Sequence, residues 1–218
     1  MMRVYLISGL GADQRAFKKL SWHRDVEVVF VPWIKPIKNE TLNSYARRLA
    51  LTIDTDSAPY VLVGLSFGGM LASEMVTFLN PTKTILLSSV NTCNELPVYY
   101  RLPGKLGLHR LLPAKPGNRA NFLISWLFGI DNKTDKALLS DVLANTDAVF
   151  SRWAIDAILK WKKTSSDKEV IRVHGTKDYV LPITNFTPDY IVKQGGHLMV
   201  MNRAEEVSRI LNEVVFGG

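Results

Sequence analysis

Tyr60-Val61-Leu62-Val63-Gly64-Leu65-Ser66-Phe67-Gly68-Gly69-Met70-Leu71-Ala72 constrains what this chain can fold into more than any other stretch. It begins as an apolar, β-branched run and turns through Gly-x-Ser-x-Gly. It then continues with Met70, Leu71, Met75 and Leu79 at helical spacing until Pro81 ends the pattern. Strand, tight turn and helix in that order lift one serine out of the backbone at the carboxyl edge of a sheet. Side chains at Gly64 and Gly68 would collide across such a turn, and Ser66 is expected in a strained backbone conformation with its hydroxyl exposed. A bare Gly-x-Ser-x-Gly arises by chance in roughly 7% of chains this long. The strand before it, the helix after it and the extra glycine at Gly69 are what turn the match into a candidate nucleophile.

Around this centre the chain alternates strands with helices. Val4–Ile7 reads as a first strand, followed by the glycine-containing turn Ser8-Gly9-Leu10-Gly11 and a short helix carrying Phe17 and Leu20. A dinucleotide loop would need glycine at position 14, which is Gln14, and no Gly-Lys-Ser/Thr follows. Val26–Val31 is a second strand ending at Pro32, and Leu42, Tyr45, Ala46, Leu49 and Ile53 mark a helix started by Thr41. Thr84–Val90 is the strand after the central one. From about Asn91 to Phe150 no strand pattern appears. Four prolines are followed by amphipathic runs at Phe122-Leu123-Trp126-Leu127 and Leu138-Leu139-Val142-Leu143. A third run, from Val149 to Trp161, is expected to return to the sheet. Strands resume at Val170–His174 and Tyr190–Lys193, and a closing helix carries Val207, Ile210, Leu211 and Val214 with Asn202 as its candidate cap. The expectation is one α/β domain over 1–218, a predominantly parallel sheet of about six strands flanked by helices, with an all-helical lid inserted at about 91–150.

With 218 residues, 47% of them hydrophobic, the chain can bury a substantial core as one domain. The single cysteine, Cys93, excludes an internal disulfide framework and favours a reducing compartment. No secretory leader is read at Met1-Met2-Arg3, and no apolar run approaches the ~20 residues of a membrane span, so a cytoplasmic location is expected. The net charge of +7 is spread along the chain and reads as a solvated surface, with no nucleic-acid partner expected.

A serine hydroxyl needs a base within hydrogen-bond reach and a third group to orient that base. Asp178 and His197 each follow a predicted parallel strand, on the edge where Ser66 emerges, in the order Ser, Asp, His. His197 would take the Ser66 proton and deliver it to the leaving group, while Asp178 would hold the imidazole tautomer and stabilise its cation. The backbone N–H groups of Phe67 and Leu10 are the candidate oxyanion donors. Phe122, Trp126 and Trp153 are candidates for an apolar substrate pocket. Of the remaining histidines, His23 and His109 read as surface residues and His174 as support for the acid loop. The four histidines show no metal-ligand spacing, and neither metal nor cofactor is expected.

These motifs resemble those of the α/β-hydrolase superfamily, and the resemblance covers essentially the whole chain. Gly64–Gly69 looks like its nucleophile elbow, His174-Gly175-Thr176-Lys177-Asp178 with Pro182 like its acid loop, and Gly195-Gly196-His197 like its histidine loop. Ser8-Gly9-Leu10-Gly11 is similar to its His-Gly oxyanion turn, with serine in place of the usual histidine. The two leading antiparallel strands of larger members have no counterpart here. The resemblance implies a serine hydrolase, carboxylesterase-like, that cleaves a carboxylic ester or related acyl bond of a small substrate through an acyl-enzyme, without cofactor or metal. Serine at the elbow argues against dehalogenases and epoxide hydrolases, which use aspartate there. Thioesterases, carbon–carbon bond hydrolases and lyases with the same triad stay open, as does a non-catalytic ligand-binding or interaction module on the same scaffold.

Overall fold

A computed structural model of the chain describes residues 1–98, 100, 128–130, 133–144, 147–165 and 168–217. Six strands, β1 (Met2–Ile7), β2 (Val26–Phe30), β3 (Tyr60–Leu65), β4 (Lys83–Leu87), β5 (Ile171–Gly175) and β6 (Tyr190–Val192), form one sheet in the order β2-β1-β3-β4-β5-β6. Every pairing is parallel. Among the described residues the helices are α1 (Leu42–Ala50), α2 (Phe67–Met75), α3 (Lys133–Ala144), α4 (Ala148–Leu159), α5 (Met199–Asn202) and α6 (Ala204–Phe216), with short 3-10 turns at Gln14–Phe17 and Cys93–Glu95.

Period-two alternation divides the core between the two faces of the sheet. Tyr5, Ile7, Leu62 and Leu86 point to one face, where α1, α2 and α4 bury Leu42, Tyr45, Leu49, Leu71, Met75, Phe150 and Ala154 against them. Val4, Leu6, Val61, Val63, Ile85, Leu87 and Val173 point to the other, covered by α6 through Val207, Ile210, Leu211 and Val214. All six residues of β3 are buried, as a central strand between two helical layers must be. Because β1 pairs with β2 on one side and β3 on the other, the chain leaves the ends of β1 and β3 in diverging directions, which is where an open parallel sheet forms a crevice.

Several expected elements differ in extent. β4 ends at Leu87 because Ser88 turns the chain with a φ of 47°. α2 gives up regular helix at Met75, short of Leu79 and Pro81. Asn202 does not cap α6: its Nδ2 donates to Gly129 O at 2.6 Å, and Arg203 occupies the cap without a side-chain bond. Within the expected lid, α3 and the start of α4 are helical, and Leu139 is buried against the second face of the sheet. The run at Phe122–Leu127 and His109 lie outside the described residues, as do the side chains of 138, 142 and 143. α4 returns to the sheet as expected, burying Phe150, Ala154 and Ala157.

Two close contacts fix α2 beneath its own strand. A Cβ added at Gly68 would lie 2.2 Å from Ile7 O and 2.3 Å from Ser8 O, so α2 starts in backbone contact with the turn after β1. The other end is tied by a buried polar cluster. Lys163 Nζ donates to Ser73 O and Ser73 Oγ, both at 2.6 Å, and to Asn91 Oδ1 at 3.0 Å. Burial pushes the Lys163 ammonium down to about 8, against the pull of the Glu74 and Glu95 carboxylates.

Two predictions follow from these contacts. Gly68→Ala should lower the unfolding free energy by about 2–3 kcal/mol, read from a denaturant midpoint, because backbone must shift to admit the methyl. A lysine whose folded pKa lies below its unfolded one binds fewer protons when folded, so wild-type stability should rise between about pH 8 and pH 10.5. Lys163→Met should lose that slope in denaturation series across this window.

Candidate active site

Ser66 sits between β3 and α2 with φ 51° and ψ −116°, a region that costs a non-glycine residue about 1–3 kcal/mol. Packing imposes it. A Cβ at Gly64 would lie 2.4 Å from Gly68 O, and one at Gly69 would lie 2.5 Å from Ser89 Cβ and Oγ, so the turn closes only with glycine at these positions. Ser66 N–H donates to Leu87 O at 2.9 Å, while Ser66 O accepts from Gly69 N at 2.9 Å and from the Ser89 hydroxyl at 2.6 Å. Every neighbour from Tyr60 to Ala72 is buried, and Ser66 alone among them is half-exposed.

Asp178 and His197 come to this point from the ends of β5 and β6. Gly175 and Gly195 let the two loops touch: a Cβ at Gly175 would lie 2.2 Å from Gly195 O, and Lys177 N donates to that same oxygen at 2.8 Å. His197 Nε2 lies 2.8 Å from Ser66 Oγ, and its Nδ1 lies 3.0 and 2.9 Å from the two Asp178 oxygens. A ring nitrogen facing a carboxylate donates, so the neutral imidazole carries its proton on Nδ1 and turns the Nε2 lone pair toward the serine. Asp178 and His197 are each only 2% exposed. Burial pushes the Asp178 carboxyl up, but the electrostatic pull of the adjacent His197 ring and hydrogen bonds from His174 and His197 outweigh it and hold the group well below the usual carboxylate range. The ring of Phe128 meets His197 edge-on at 5.5 Å, and a Cβ at Gly129 would lie 2.5 Å from Gly196 Cα, so this segment packs on the histidine loop.

The turn after β1 lies against the serine: a Cβ at Gly9 would come within 3.3 Å of Ser66 Cβ. Ser8, which stands where the resembled family has histidine, is fully buried. Its hydroxyl donates to Ala12 O at 2.7 Å, and the Trp33 Nε1–H reaches the same oxygen at 3.2 Å. With Ala12 N bonded to Gly9 O at 3.0 Å and Gly11 at φ 74°, the turn is closed from three sides. Neither the Leu10 nor the Phe67 N–H donates to an acceptor among the described residues. Downstream of the turn, Arg15 pairs with Asp13 and Asp141, and Lys19 Nζ lies 2.7 Å from the buried Asp135, which ties α3 alongside.

Trp153 packs in an aromatic cluster. Its ring lies 4.3 Å from Tyr45 and 6.0 Å from Phe67, and its Nε1 donates to Glu40 O at 2.9 Å. Phe122 and Trp126 lie outside the described residues. Ser89 and Trp33 had no motif to announce them, since each acts on a backbone carbonyl far away in sequence. Among the described residues no group of three His, Cys, Asp or Glu side chains is placed to hold a metal ion, and no helix is long and apolar enough to cross a membrane.

This architecture is the α/β-hydrolase fold. The chain is similar to a hydrolase, olei00960, from Oleispira antarctica, with a TM-score of 0.73 at 14% identity over all of this chain and 92% of that one. It is similar to the esterase EaEST from Exiguobacterium antarcticum, with a TM-score of 0.67 at 13% identity over 99% and 92% of the two chains. MenH from S. aureus gives a TM-score of 0.70 at 12% identity over 96% and 91%. No family model matches the sequence, and no curated protein matches it.

The Ser8 clamp gives a direct test of how the β1 turn is held. Ser8→Ala should cost about 1 kcal/mol of stability, read from a denaturant midpoint, because one of two side-chain donors to Ala12 O is lost.

Proposed function

We propose that the chain is a serine hydrolase that cleaves a carboxylic ester, or a related acyl bond, of a small substrate through an acyl-enzyme. The observation that carries this reading is the unbroken run of hydrogen bonds from the Asp178 carboxylate through His197 to the Ser66 hydroxyl. Ser66 Oγ attacks the acyl carbonyl as His197 Nε2 takes its proton, and Asp178 stabilises the resulting imidazolium. The tetrahedral oxyanion is met by the N–H groups of Leu10 and Phe67, donors of a kind each worth ~10²–10³ in turnover. Collapse expels the leaving group, protonated by His197. Water, deprotonated by the same imidazole, then frees the acid and restores Ser66.

The half-buried indoles of Trp33 and Trp153 reach the site through Phe67, which lies 5.7 Å and 6.0 Å from them, and supply apolar surface for an acyl group. The 91–150 segment would lie over this edge of a single domain as its lid, with Phe122 and Trp126 contributing to the same pocket. The lone cysteine supports a reducing compartment such as the cytoplasm. The solved structures named hydrolase and esterase favour ester chemistry, and MenH marks how widely this fold is used.

Turnover of nitrophenyl butyrate tests the proposal. Ser66→Ala should abolish it with the fold intact by circular dichroism, and His197→Ala should lose nearly as much, with the double variant no worse than either alone. Wild-type rates in folded Ser66→Ala would overturn the serine mechanism, and no turnover by the folded wild type would leave a binding module as the better reading.

A further inference from the structure

The Asp178 carboxylate meets two imidazoles, and only one of them leads to Ser66. The other belongs to His174, the fourth residue of β5, which is fully buried. Its Nε2 lies 2.7 Å from Leu181 O and 3.0 Å from Asp178 Oδ2. A carbonyl and an ionised carboxylate can only accept, so Nε2 carries a hydrogen and shares it between them. Among the described residues its Nδ1 is buried with no partner. The Phe186 ring packs on this imidazole at 5.1 Å. Beyond that ring the Arg172 guanidinium lies 5.5 Å from its centroid and is paired with Glu95 at 2.9 Å. The titratable groups in contact with the Asp178 carboxylate among the described residues are these two imidazoles.

The donors divide between the two carboxylate oxygens. Oδ1 accepts the N–H groups of Val180 at 3.0 Å and Leu181 at 2.8 Å, and Oδ2 accepts His174. The His197 Nδ1–H faces both. Anchored through Oδ1 alone, the carboxylate could swing about its Cβ–Cγ bond and carry the His197 ring with it. Held at both oxygens, it cannot. We propose that His174 is a positioning residue: its Nε2–H locks Asp178 Oδ2 and so sets the direction in which His197 presents Nε2 to Ser66. This deepens the Ser-His-Asp reading above and rests on it.

Two effects should follow from removing the donor. A freer carboxylate orients His197 less well, which slows the chemical step. An Oδ2 relieved of its second donor also keeps more negative charge for the His197 cation, which raises the pKa of that imidazole. The test is the pH profile of kcat/KM for nitrophenyl butyrate in His174→Phe and His174→Gln. The phenylalanine variant should lose on the order of ten-fold in kcat at little change in KM, with its acid limb moved up by about half a pH unit. Glutamine, whose amide N–H can reach the same oxygen, should recover most of both. If His174→Phe does not fold, His174→Leu takes its place. An unmoved limb, or a glutamine variant as impaired as the phenylalanine one, would overturn the role and leave His174 as packing alone. The His197 imidazole titration, followed by NMR in the resting protein, needs no turnover. A shift there without Ser66-dependent hydrolysis in the wild type would retain the positioning role and discard the proposed activity. Ser66-dependent hydrolysis with no shift would discard the positioning role alone.

Discussion

Ser66 is held in a backbone conformation that a side chain resists, and the rest of the molecule is arranged so that it has no alternative. Its N–H is taken by Leu87 on the next strand, and its carbonyl by the Ser89 hydroxyl and the first turn of α2. Its flanking glycines pack backbone against backbone on β1 and on their own turn. About 1–3 kcal/mol of strain is small beside the burial of β3 and α2, whose residues are almost all inaccessible to solvent. The strained turn aims the hydroxyl out of the crevice where the ends of β1 and β3 part.

The partners of that hydroxyl are held by the same means, backbone contact made possible by glycine. Gly175 meets Gly195, Gly196 meets Gly129, and Gly9 meets Ser66. Four separate segments thus converge on one half-exposed oxygen without a long side chain bridging any gap. Buried polar groups lie among them, bonded at most atoms, with Ser88 Oγ and His174 Nδ1 the exceptions near the site. Asp178 accepts from two imidazoles and two backbone amides, which is why it remains ionised in a site where burial alone would neutralise it. Ser8 and Trp33 perform the equivalent service for the β1 turn. Serine at this position therefore keeps the turn supported, through its hydroxyl bond and an indole brought in from the segment after β2.

The sheet and the three side chains that meet at Ser66 were legible because each is written locally. An apolar β-branched run specifies a buried strand, glycines mark the turns, and an acid and a histidine directly after successive strands can share an edge only if those strands are parallel. Ser88 ended β4 early through a positive φ, which no periodicity reports. Asn202 read as a cap because asparagine just ahead of an apolar helical run suits that place, yet its amide serves Gly129, 73 residues away in the chain. Ser89, Trp33 and the Asp178 bond of His174 were likewise hidden or only half visible, since they join side chains to carbonyls and carboxylates across the fold. What the sequence does not encode locally is support, and support is what these residues provide.

The central claim is that the fold makes one serine nucleophilic. Treating the folded protein with a fluorophosphonate and mapping the adduct by peptide mass spectrometry tests it most directly. The account predicts a single modification, on the peptide carrying Ser66, and none on Ser88 or Ser89 nearby. No adduct on folded protein, or an adduct on another serine while Ser66 stays unmodified, would contradict it.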